Sequence, residues 1–166
     1  MNLPAVTSIR IGARGSNLSL RQVGEVVAAI VQRTDGATCE VVPISTLGDR
    51  NLDSPLPELG GKGAFTDEIS RALLDGQIDL AVHSLKDLPV QQPDGIVIGA
   101  VLPRAMYADV MISRDGVHLG ELKQGAVVGS SSLRRAAQIK RVRPDLVTQS
   151  IRGNVETRLR KLDEPD

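Results

Sequence analysis

The sequence predicts an α/β protein of two successive lobes, each a sheet flanked by helices. Short apolar runs of strand length alternate with stretches whose apolar residues recur at helical spacing, the order expected when helices cover a sheet. The same theme returns in the second half of the chain. Clusters of glycine, serine and arginine follow the strand-like runs rather than interrupting them, and in open α/β sheets ligands bind outside the carboxyl ends of strands.

In chain order, residues 9–11 read as a first strand, followed by the turn-rich Gly12-Ala13-Arg14-Gly15-Ser16-Asn17. Leu20, Val23, Val27, Ile30 and Val31 then form one apolar helical face. Residues 40–44 have strand composition, and a polar loop runs from 48 to 63. Residues 64–75 read as a helix with Phe65, Ile69, Leu73 and Leu74 on one side, and 78–82 as a strand. Further strands are expected at 96–102 and 109–112, with 90–95 as a connection. In the second region a strand at 126–128 leads to a serine-led helix from about 132 to 141, a strand at 146–151 and a helix over 154–162. The expected lobes are 1–102 and 103–166. A helix in that last position normally delivers the chain to another parallel strand. The second lobe is therefore expected to be incomplete and the chain to be a fragment or shortened relative, prone to self-association through an exposed sheet edge.

Composition narrows the function classes. Of 166 residues, 41% are apolar and 24% charged, close to the globular averages of ~45–50% and ~25%. The longest apolar runs, such as 26–31, are far short of the ~20 residues of a membrane span. No basic patch leads into an apolar stretch, so no secretory leader is expected. Cys39 is the only cysteine, which excludes an intrachain disulfide and fits a reducing cytoplasm. His83 and His118 are the only histidines and stand in unrelated settings, so no metal site is expected. Phe65 and Tyr107 are the only aromatics, too few for a platform on which bases stack. The net charge is zero, yet residues 1–120 carry 10 basic and 14 acidic groups, whereas 121–166 carry 10 basic and 6 acidic.

Five segments carry candidate chemistry. In residues 79–89 an apolar strand ends and at once presents His83, Ser84, Lys86 and Asp87 before Pro89. A solvated turn closed by an Asp–Lys pair, worth about 0–1 kcal/mol, would look the same. Gly129-Ser130-Ser131-Ser132 precedes a helix whose first turn holds Arg134 and Arg135. Ordinary serine capping explains the hydroxyls, but cations oppose the helix dipole there, so a bound anion is the better account. Arginine pairs with planar carboxylates through two parallel bonds, which suits a polycarboxylate. Arg152 and Arg158 follow another strand, Arg10, Arg14 and Ser16 accompany the first, and Gly60-Gly61-Lys62-Gly63 is a glycine loop with one cation. The loop lacks the spacing of a phosphate-binding Gly-x-x-x-x-Gly-Lys-Ser/Thr motif. Together the segments supply six arginines and two lysines, and their shared chemistry is anion binding.

These segments, in this order, resemble the porphobilinogen deaminase (hydroxymethylbilane synthase) family. The stretches are RIGARGSNLSLRQ at 10–22, TLGDRNLDSPLPELGGKGAFTDE at 46–68, DLAVHSLKDLP at 79–89, VGSSSLRRAAQ at 128–138 and RGNVETRLRKLD at 152–163. The resemblance implies two periplasmic-binding-protein-like lobes with mixed sheets flanked by helices and a cleft between them. It implies a transferase that joins four porphobilinogen molecules into the linear tetrapyrrole hydroxymethylbilane and releases ammonia. Growth takes place on a dipyrromethane primer held by a cysteine of a third domain. By the same resemblance Asp87 is the catalytic carboxylate. Arg14, Arg134, Arg135, Arg152 and Arg158 pair with acetate and propionate arms, while Ser16, Ser84, Lys86, Ser131 and Ser132 add contacts. Lys62 reaches the polypyrrole from a mobile loop. The implied partners are porphobilinogen and the growing polypyrrole, with neither nucleic acid nor membrane, and the family is typically monomeric.

Three departures stand out. The family continues for at least another domain, and Cys39 lies outside the primer-bearing motif. Ala108 replaces an arginine of the family's Arg-Glu-Asp-Pro-Arg-Asp stretch, of which Arg104 and Asp109 remain, and Glu58 stands where relatives often have lysine. The competing reading is a non-catalytic two-lobe module that clamps a small polycarboxylate or pyrrole. Asp87 argues against it, since a pure anion binder gains nothing from a carboxylate among its cations. A nucleic-acid-binding role for 121–166 would require binding that falls steeply with salt.

Overall fold

The computed structural model describes residues 8–50 and 63–164, so Glu58, Lys62 and most of the glycine loop lie outside the described residues. The chain divides into two compact units, Met1–Pro103 and Arg104–Asp166.

In the first unit, β1 (Ser8–Ala13) leads into α1 (Asn17–Val31), β2 (Thr38–Pro43), the single turn α2 (Leu47–Arg50), α3 (Asp67–Leu74) and β3 (Leu80–Ala81). The strand order is β2-β1-β3. Both pairings are parallel, with Ser8 opposite Thr38, Ala13 opposite Pro43 and Ile11 opposite Leu80. α1 begins where Ser16 accepts the Ser19 N–H at 3.3 Å, a serine cap satisfying a backbone donor the helix leaves orphaned. Its inward side is Val23, packed with Ile11 and Ala13, with Val27 and Ile30 at the margin. Leu20 and Val31 were expected on that face, but both are exposed, because one three-stranded sheet covers only a narrow stripe of the helix. α3 seats Ile69 and Ala72 against Ile78, and Leu73 is partly buried beside them, while Leu74 is exposed. Gly12 sits where a β-carbon would overlap the Ile78 side chain, so the middle strand passes close to that second cluster.

In the second unit β4 (Val127–Gly129), α4 (Leu133–Val142), β5 (Val147–Gln149) and α5 (Val155–Asp163) follow one another, and β4 pairs parallel with β5. Arg143, just after α4, ties that helix to an earlier turn of the same unit. Its guanidinium donates to the carbonyls of Leu119 (2.7 Å), Gly120 (3.0 Å) and Leu122 (2.8 Å) and to Asp145 (2.8 and 2.6 Å).

Two expectations need correction. Every strand pairing among the described residues is parallel rather than mixed. The expected strands at 96–102 and 109–112 are absent, and Val97, Val101, Met106, Tyr107 and Val110 of that stretch are highly exposed. Strand composition supplies only propensity; a strand also needs a neighbouring backbone to bond to, and none of the described strands takes that place.

Candidate functional site

Parallel strands end on the same edge of their sheet, so chain segments far apart in sequence emerge side by side. At the carboxyl end of β1 stands Arg14, at that of β2 the turn from Thr46 to Asp49, and just past β3 the segment His83–Asp87. A 3-10 turn over Leu85–Asp87 is closed by the Asp87 N–H donating to the Ser84 carbonyl at 2.9 Å. The Ser84 hydroxyl donates to Gln22 of α1 at 3.1 Å, which locks this loop to the helix. Asp87 is half-buried and Lys86 exposed. Burial pushes the His83 imidazole below its ordinary pKa; the Asp87 carboxylate opposes this and the Arg14 guanidinium adds to it. The neutral imidazole is thereby favoured.

Arg14 is held along one edge and against one face. Its Nε donates to both oxygens of Asp49 at 3.0 and 3.2 Å, and Nη2 makes a further short bond to Oδ1. Asp49 is itself gripped by the backbone N–H and hydroxyl of Thr46, at 3.2 and 2.8 Å. Burial would raise the Asp49 carboxyl, but the bonds from Arg14 and Thr46 outweigh it and hold it below the usual range. The Phe65 ring lies against the guanidinium face, 4.2 Å from Cζ to centroid, and can approach because residue 48 is glycine, where a β-carbon would overlap the ring. Arg10 has a different task. It bonds Asp79 through Nε (3.0 Å), Nη2 (2.7 Å) and its backbone N–H (2.8 Å), pinning the entry of β3 to β1 and pushing Asp79 down to about 2, chiefly through its side-chain bonds.

The second unit repeats the construction. Beyond β4, Ser132 caps α4 by accepting the Arg135 N–H at 3.3 Å. Ser131 donates a short bond to the Ile151 carbonyl, joining the loops that follow β4 and β5. Arg135 holds the Asp109 carboxylate at 2.6 Å, and Arg134 stands 3.9 Å from its other oxygen; the bond to Asp109 raises the Arg135 pKa. Asn154 caps α5 through the Thr157 N–H at 2.8 Å. Half-buried Arg152 lies just before that cap, and half-buried Arg158 one turn beyond it.

The structure thus gathers Arg14, Ser84, Lys86 and Asp87 along one strand edge, with Ser16 at the start of α1, and Ser131, Ser132, Arg134, Arg135, Arg152 and Arg158 around the strand ends of the second unit. Lys62 is not described. Sequence reasoning did not single out Thr46, Asp49, Phe65 or Gln22, nor the pairing of Asp109 with Arg134 and Arg135. The available signal was the parallel order itself, which obliges the end of β2 to lie beside the end of β1. No group of three or more potential metal ligands exists among the described residues.

Comparison with known proteins places these residues in a family. Residues 9–166 match a family model described as "Porphobilinogen deaminase, dipyromethane cofactor binding domain". Curated proteins named porphobilinogen deaminase are similar throughout. That of Syntrophobacter fumaroxidans is 50% identical over 156 residues, and that of Pelotomaculum thermopropionicum 51% over 156, each match covering 94% of this chain and 50% of the relative. That of Paracoccus denitrificans is 52% identical over 160 residues, again 94% of this chain and 50% of the relative. The chain spans about half the length of the curated relatives it matches.

Proposed function

The chain belongs to the porphobilinogen deaminase family, and from that premise we propose that it serves a transferase joining four porphobilinogen molecules head to tail into hydroxymethylbilane, with loss of ammonia each time. Its two lobes, 1–102 and 103–166, are periplasmic-binding-protein-like in this reading. The observation that carries it is the half-buried carboxylate Asp87, held in the turn just past β3, in the same unit as Arg14 at the end of β1.

A dipyrromethane with acetate and propionate arms requires several cations able to take carboxylates. Each unit offers such a station, and each holds a carboxylate of the chain itself: Asp49 on Arg14, and Asp109 on Arg134 and Arg135. The donor set fits the group. Arg14, Ser16, Ser131, Ser132, Arg134, Arg135, Arg152 and Arg158 would hold it and the substrate arms, with Lys62 and Lys86 adding positive charge. Bound, the primer supplies the pyrrole carbon to which the first substrate is joined.

The remaining chemistry falls to Asp87. Its carboxylate accepts from the substrate pyrrole N–H and stabilises the cation that forms as ammonia leaves the aminomethyl arm, a preorganised electrostatic role; it also stands ready to assist proton transfer. The partners are porphobilinogen and the growing polypyrrole, not nucleic acid or membrane, and the compartment is the cytoplasm. No helix of the described residues is long and apolar enough to cross a membrane. A non-catalytic binding module is not favoured, since the relatives bear an enzyme's name. Replacing Asp87 by Ala in the full-length protein should lower turnover by about 10²–10³, the cost of removing one preorganised electrostatic group, with the thermal midpoint unchanged. Turnover at the parental rate would remove Asp87 from the mechanism.

A further inference from the structure

We infer that Asp49 is a positioning residue for the proposed reaction: it fixes the edge and plane of the Arg14 guanidinium so that the remaining Nη1–Nη2 edge is presented to a ligand carboxylate. The inference rests on the reading of Arg14 as a carboxylate-binding residue.

Guanidinium is a flat fork with five N–H donors, and two of its edges each match a carboxylate. Asp49 takes one edge, through Nε and Nη2. Nη1 makes no hydrogen bond to any described residue and lies on the other edge. The Phe65 ring closes one face, leaving the cation little rotation about its own axis. Asp49 can act as an anchor because it does not move freely: Thr46, fully buried, grips Oδ2 from backbone and side chain together, and the Asp49 N–H returns a bond to the Thr46 carbonyl at 3.0 Å. Both members of the pair keep a quarter of their side-chain surface accessible, which an ion pair serving only the core would not need. Because the pair is neutral overall, Arg14 contributes directed donors more than long-range attraction. Fixing those donors in advance lowers the ordering cost of ligand binding.

The test is steady-state kinetics of the full-length protein carrying Asp49→Asn, Asp49→Glu, Arg14→Met and the Asn/Met double change, with thermal midpoints in parallel. Asparagine can still accept from Thr46 but offers Arg14 an N–H in place of an acceptor. D49N should raise KM for porphobilinogen about ten- to hundredfold, the range for a hydrogen bond to a charged group, with kcat nearly unchanged. D49E, which keeps the charge on a longer stem, should recover part of that loss. The double variant should be no worse than R14M alone, since the two residues act through one bond. Three results would overturn the inference: D49N with parental KM while R14M is impaired, additive losses in the double variant, or D49E no better than D49N. An R14M variant with parental KM would instead defeat the underlying reading of Arg14. If D49N folds poorly, the comparison of D49E with R14M decides the matter by the same KM criterion.

Discussion

Among the described residues, seven hydrophobic side chains of the first unit are withdrawn from solvent (Ile11, Ala13, Val23, Ala64, Ile69, Ala72 and Ile78), whereas in the second only Leu146 is. The contrast extends to the arginine stations. Arg14 and Asp49 are each a quarter exposed, stacked on a ring and anchored by Thr46. Asp109, nearly half exposed, approaches Arg134 and Arg135 from a stretch without regular structure. A cored sheet fixes a charged side chain from several elements at once; beside a two-stranded sheet with little core, Arg134 and Arg135 are met by a more exposed carboxylate. Where apolar burial is scarce, hydrogen bonds do more of the joining, as Arg143 does on three carbonyls.

The comparison breaks first on the cores. Ile69→Ala in the first unit should cost about 2–5 kcal/mol in denaturant titration, the range for emptying a fully buried site, while Leu133→Ala on exposed α4 should stay within about 0.5 kcal/mol. Similar losses for both would show that burial does not separate the units.

The next largest effect concerns the carboxylate stations. Arg135→Leu should weaken polypyrrole binding by about 1.5–3 kcal/mol, and Arg134→Leu by less, since Arg134 is the more exposed. Asp109→Asn should tighten binding, by freeing a pair that a nearly half-exposed carboxylate occupies, opposite in sign to the effect of D49N. Calorimetric titration with a dipyrromethane polycarboxylate reads both signs. Weaker binding by D109N would mean that Asp109 positions its arginines as Asp49 does.

The smallest expected effect is on acid stability. Asp79 is held down to about 2 by Arg10, below its ordinary value near ~3.9. The folded state thus binds fewer protons than the unfolded chain, so this contribution is full above pH ~4 and is lost as pH falls toward 2. Asp145 is shifted the same way by Arg143. Asp79→Asn should flatten the acid limb of a thermal-midpoint profile between pH 4 and about 2 and change little at pH 7; an unaltered limb would mean that the pair does not distinguish folded from unfolded chain.

Much of the architecture was legible along the chain because it depends on local pattern. Ser16 and Ser132 announce helix starts by their own chemistry, and the spacing of Ile69 and Leu73 gives α3 its side. The stretch 96–112 misled because Ile96, Val97, Ile98 and Val110 have the composition of a strand, while the ladder that makes one belongs to two segments at once. Asp49 escaped notice for a related reason. It lies 35 residues from Arg14, and only the parallel register of β1 with β2 brings the two together.

The sequence by itself determined the four longer helices but not the single turn α2, the strand-end placement of Arg14, Asp87, Arg134 and Arg135, and, through five motifs in order, the family. These depend on residue type and near spacing, where a side chain's partner is a turn away. The tertiary structure alone decided which arginine meets which carboxylate, that Phe65 lies on Arg14, and that Arg10 pins β3 rather than waiting for a ligand. Those outcomes follow from strand register and from burial, which sum over segments distant in sequence and so cannot be read from any one of them.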